Sequence, residues 1–167
     1  MPEPWLNFTI FVSVQFLLFI IHAYFEKKLS DAPRILGWGI LIGIAVGLSF
    51  DLVLGKFFGL WSYTLGFGPM SLALSASLVY GLFAAHTLLM QRARLPHFFL
   101  WTMLVGVVFY EITNYFFPVW TYEFALPPLG FLTFLLVGNF AAALLVAVIW
   151  HVFLGHRFFF IDAMLKK

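Results

Sequence analysis

The chain has 167 residues, 63% of them hydrophobic and 10% charged, with a mean hydropathy of +1.03. Soluble domains are about 45–50% apolar and 25% charged, so a water-soluble fold is excluded. The absence of cysteine excludes disulfides, thiol catalysis and thiolate-ligated metals, and a net charge of +2 says little about partners.

Five apolar runs follow one another at residues 5–25, 35–60, 69–90, 98–117 and 129–154. A bilayer core about 30 Å thick needs roughly 20 apolar residues per helix. The expected fold is therefore all-α, a polytopic integral membrane bundle of five transmembrane helices in a single domain over 1–167, with no room for a soluble domain. The first run lacks a basic leader and a small-residue cleavage site, and reads as a retained span. Prolines fall near the run boundaries, so the spans read as unbroken. Lys27, Lys28 and Arg34 lie in the first loop, Arg92 and Arg94 in the third, and Arg157, Lys166 and Lys167 in the tail. Basic flanks stay cytoplasmic, which places the N-terminus outside and the C-terminus inside. A cell membrane of the bacterial inner-membrane type is the expected location.

Spans two and four carry similar landmarks. Phe50-Asp51 leads to Trp61-Ser62-Tyr63, and Tyr110-Glu111 leads to Trp120-Thr121-Tyr122. The acid-to-tryptophan spacing differs by one residue. Both copies run in the same direction, which describes a parallel repeat of a helical hairpin in a 1+2+2 arrangement.

Asp51 and Glu111 are the candidate catalytic residues, because an ionisable group at membrane depth is costly and usually faces the bundle interior. Low dielectric favours a neutral carboxylic acid in general, which suits a proton donor. Gly39, Gly43, Gly47, Asp51, Gly55 and Gly59 recur every fourth residue, a spacing that lets helix backbones approach closely in lipid, with span three as the expected neighbour. Glu111, Asn114 and Tyr115 fall at i, i+3 and i+4, as if on one face. Gln15, Ser75 and Asn139 fall at similar depth, where amides and hydroxyls also serve as glue between helices. Trp61, Tyr63, Trp120 and Tyr122 read either as an interfacial aromatic belt or as rings that hold a polyene or shield a cation. Asn114, Tyr115, Asn139 and these four aromatics make up the candidate substrate-binding set. His22, His86 and His151 lie in three spans, from which imidazoles could converge on a metal, haem or chlorophyll; no metal and no cofactor are assigned. No phosphate loop, nucleophile elbow, zincin motif or nucleic-acid module is present.

The stretch from Asp51 through Gly55, Gly59, Trp61 and Tyr63 to Gly66 resembles the lycopene cyclase domain, a family of small helical membrane carotenoid cyclases. Where that family opens its next helix with Pro-x-Glu-Glu, this chain reads Pro69-Met70-Ser71 and Pro128-Leu129-Gly130. The resemblance implies roles for Asp51, Trp61 and Glu111 in an isomerase-type cyclisation of an isoprenoid. Expected partners are membrane lipid and a hydrophobic isoprenoid-like ligand, with no nucleic acid. A homo-oligomer or membrane-complex subunit, a non-enzymatic lipid or pigment binder and a proton-coupled carrier are the alternative readings.

Overall fold

The computed structural model describes residues 4–66 and 68–165. Residues 1–3 and Lys166 and Lys167, which enter the leader and charge arguments, lie outside the described residues.

Among the described residues, five helices are long and apolar enough to cross a membrane: α1 (Pro4–Phe25), α2 (Leu29–Phe57), α3 (Pro69–Leu89), α4 (Leu95–Phe116) and α5 (Pro128–Phe153). A short α6 (Phe159–Leu165) follows. All five expected runs are helices, with ends that differ by at most six residues. The largest shift is at the start of α2, where a turn over Leu29–Asp31 and proline in the first helical turn extend it backwards. A proline there gives up an N–H that has no partner anyway.

The helices are continuous but not uniform. Wide π turns occupy Asp51–Phe57 in α2, Ser75–Val79 in α3, Leu104–Glu111 in α4 and Ile149–Phe153 in α5. Such i→i+5 segments often mark functional positions, and here three of them begin or end on a polar residue of the interior: Asp51, Ser75 and Glu111.

The loops α2–α3 and α4–α5 each contribute a three-residue strand, β1 (Trp61–Tyr63) and β2 (Trp120–Tyr122). The all-α expectation has no place for these strands. They pair antiparallel in the register Trp61 with Tyr122, Ser62 with Thr121 and Tyr63 with Trp120. Beyond the strands, Thr64 N–H donates to the Val119 carbonyl and Glu123 N–H to the Leu60 carbonyl. Each of these bonds is the image of the other under an offset of 59 residues, the separation of Ser62 and Thr121 at the centre, whose hydroxyls lie 3.0 Å apart. The ribbon is thus locally two-fold symmetric. Gly59 and Gly66, both with positive φ, bend the chain into and out of β1, a backbone state that glycine adopts without a side-chain penalty.

Helices α2 and α3 form the tightest contact. A methyl group on Gly39 would meet Ala85 and the Gly81 carbonyl, one on Gly43 would fall onto the Gly81 backbone, and one on Gly47 would meet Tyr80 and Ala76. The four-residue glycine row therefore faces α3 along three turns. The last member, Gly59, departs from it: its place is in the turn, where an added methyl group would meet nothing within 4 Å. The tail folds back, with Phe159 N–H donating to the Gln91 carbonyl and the rings of Phe158 and Phe160 packing on Phe98.

Overpacking a close helix contact costs about 1–3 kcal/mol. G43A is expected to lower the thermal midpoint in detergent by several degrees. G37A, whose added methyl meets nothing within 4 Å, should leave it unchanged or slightly higher in the same melt.

Candidate functional site

Asp51 is completely buried at the point where α2 changes from α to π geometry. Tyr63 Oη donates to its Oδ1 at 2.6 Å, Ser75 Oγ donates to Tyr63 Oη at 2.6 Å, and Tyr80 Oη reaches Oδ1 at 3.3 Å. The equivalent network in the second half is smaller: Tyr122 Oη donates to Glu111 Oε1 at 2.6 Å. Each acid is thus bonded by the tyrosine of the strand that follows it. Tyr63 and Tyr122 lie outside the long helices, and burial, followed by the neighbouring carboxylate, raises both phenols above their usual range. They remain protonated donors.

The acid and its tyrosine are 12 residues apart in the first half and 11 in the second. The π turns account for the difference. Asp51 begins its π segment, so the wide turns lie between acid and strand; Glu111 ends its own, and Ile112–Phe116 returns to α geometry. An i→i+5 turn takes up one more residue than an i→i+4 turn.

Between α2, α3, α4 and α5, under the ribbon, lies a cavity of about 140 Å³. Trp61, Tyr63, Trp120 and Tyr122 cap it, aromatic rings including Phe50, Phe83 and Phe134 wall it, and Glu111 and Asn139 bring polar groups to it. Glu111 faces this space. Asp51 is not on its wall, since Tyr63 and Tyr80 stand in front of the carboxyl. The four aromatics of the ribbon are therefore cavity and hydrogen-bonding residues; Trp61 and Tyr63 are buried, which removes them from an interfacial belt.

Asn114 and Tyr115 separate from Glu111. Asn114 Oδ1 accepts from Val119 N–H at 2.8 Å and Trp120 N–H at 3.1 Å, and its Nδ2 donates to the Trp120 carbonyl at 3.0 Å. Its amide shapes the entry to β2. Tyr115 is 80% exposed, and neither it nor Asn114 lines the cavity, so the expected three-residue face is not part of the site. Asn139 packs against Gly106 and donates to the Leu135 carbonyl at 2.8 Å. Gln15 bonds Thr113 and the Phe109 carbonyl, joining α1 to α4.

The three histidines do not converge. His22 and His86 meet, Nδ1 to Nδ1 at 2.9 Å, with rings stacked. His151 lies apart, accepting from Phe158 N–H at 3.3 Å and facing Asp162 at 3.8 Å. Outside the long helices, Lys28 is held below its usual lysine range, chiefly by burial, and donates to the Leu89 carbonyl at 2.6 Å.

Sequence reasoning missed Tyr80, Tyr110 and Phe134 as cavity residues. The signal was present for Tyr110, which sits in the repeat beside Glu111 as Phe50 does beside Asp51. Comparison with family models, curated proteins and solved structures gives no match.

N114A should cost about 1–3 kcal/mol, the range for buried backbone groups left without a partner, seen as a lowered melting midpoint. Y115L should stay within about 0.5 kcal/mol of wild type, as surface changes do.

Proposed function

We propose that the chain is a membrane-embedded isomerase of the cyclase type, acting on a lipid-soluble polyene or isoprenoid through proton donation from Glu111. The observation that supports this most is a carboxyl group, hydrogen-bonded on one oxygen by Tyr122, on the wall of a cavity otherwise dominated by aromatic and aliphatic side chains. Tyr122 occupies Oε1 and leaves Oε2 to carry a proton towards the cavity. Transfer of that proton to an alkene carbon creates a carbocation. A neighbouring double bond closes on it, and loss of a proton from an adjacent carbon to the Glu111 carboxylate completes an isomerisation that needs no oxidant. The faces of Trp61 and Trp120 stabilise positive charge through their ring quadrupoles, and a site this apolar keeps water from capturing the cation. Asp51, bonded to Tyr63 and covered by Tyr80, positions the ribbon.

The five apolar helices support a multi-pass membrane protein. We take the basic flanks as cytoplasmic, which orients the ribbon and the cavity to the outer half. The two-fold register of the ribbon supports the parallel duplication of a hairpin about the membrane normal, with α1 added.

The test is expression in a bacterial host that accumulates an acyclic C40 polyene, followed by pigment absorption and mass. A product of unchanged mass and shifted absorption is expected from wild type, and E111Q should reduce it by roughly the 10²–10⁴-fold typical of a lost general acid while still inserting and melting normally. Full turnover in E111Q sinks the assignment. A tightly bound but unchanged polyene supports the alternative of a lipid or pigment carrier.

A further inference from the structure

The cavity is built from matching positions of the two halves, and the matches are unequal. At the 59-residue offset of the ribbon, Val79 corresponds to Gly138, Tyr80 to Asn139 and Phe83 to Ala142, and all six line the cavity. The first half carries the larger side chain each time. Tyr80 consequently reaches Asp51 and covers it. Asn139 turns back onto its own helix, bonding the Leu135 carbonyl, and leaves Glu111 uncovered. The free space lies on the side of the second half because Gly138 and Ala142 do not fill it.

The same positions make a mouth. Phe50 and Leu54 of α2 and Phe134 and Gly138 of α5 line the cavity and are each partly exposed on the side of the bundle. At the far end these helices are held together by Trp38 and Trp150, edge to face at 5.7 Å. Towards the ribbon the cavity separates them, and a methyl group built on Gly138 meets nothing within 4 Å. A side opening among apolar helices faces hydrocarbon in a bilayer. Its size limits what enters: an apolar protein cavity of about 150 Å³ binds benzene, so about 140 Å³ admits a terminal segment of roughly six carbons and not a whole long polyene.

We infer that the terminal segment of an apolar lipid chain enters sideways between α2 and α5, with Gly138 as the residue that sets the width of this entrance, while the rest of the chain stays in the bilayer. This rests on the cavity being the substrate site proposed above, and not on the chemistry assigned to Glu111.

The probe is an isoprenoid alcohol carrying a diazirine at its hydrocarbon end, photolysed with the protein in lipid nanodiscs and mapped by peptide mass spectrometry. Wild type should be labelled on cavity residues of α4 and α5. G138V, which introduces the residue of the first half into open space, should reduce that labelling several-fold, and G138L should reduce it further, both with wild-type melting. V137L, one residue away and 64% exposed, should label as wild type does. E111Q should label normally even where turnover is lost, which separates failure of the entrance from failure of the acid. Equal cavity labelling in G138L and V137L, or wild-type labelling confined to outward-facing residues, overturns the inference.

Discussion

A carboxyl group removed from water must keep a hydrogen-bonding partner or lose several kcal/mol, and this chain places Asp51 wholly and Glu111 partly out of solvent between mostly apolar helices. The nearest partner in each case is a phenol from outside the helices, Tyr63 for Asp51 and Tyr122 for Glu111, each at 2.6 Å. Delivering both phenols to the interior requires both loops to turn back on the bundle. Once there, their exposed peptide groups need partners in turn, and they find them in each other. The paired strands, the positive-φ glycines that bend the chain around β1 and the Asn114 amide that braces the start of β2 all follow from that requirement.

Symmetry in the ribbon contrasts with asymmetry beneath it. The acid, tryptophan and tyrosine recur in both halves, whereas the helices after the ribbon carry Val79, Tyr80 and Phe83 in one half and Gly138, Asn139 and Ala142 in the other. Large side chains bury Asp51 and give it a structural environment. Small ones leave Glu111 beside free volume, where a hydrogen-bonded acid has room for a reactant. The proposed division of labour between two similar acids comes from this difference in volume rather than from the acids themselves, a familiar way for environment to assign different roles to like groups.

Hydropathy makes the five helices plain from the sequence, because a long apolar run has few other readings, and the Trp-x-Tyr pairs expose the relation between the two halves. The one-residue slip between those halves is visible but not its cause, since a π turn is a backbone event that no side-chain pattern announces. Residue spacing places Asn114 and Tyr115 beside Glu111, but the Asn114 amide is taken up by the start of β2 and Tyr115 is exposed. Asn114 also bonds only backbone groups, which residue spacing does not reveal. For the histidines, regular depth suggests a three-fold meeting, but helix rotation decides which side chains face one another, and it brings together only His22 and His86. The glycine row does form the expected contact with α3, through Ala76, Tyr80, Gly81 and Ala85.

The central claim is that an acid of this chain gives a proton to an alkene carbon and that a proton is then lost from a neighbouring carbon. Incubating the purified protein with an acyclic polyene in deuterated water and measuring the mass of the product tests it directly. The predicted product is an isomer that has gained one deuterium for each end that reacts, located on the carbon protonated first. An isomer formed without deuterium under full solvent exchange would contradict the claim.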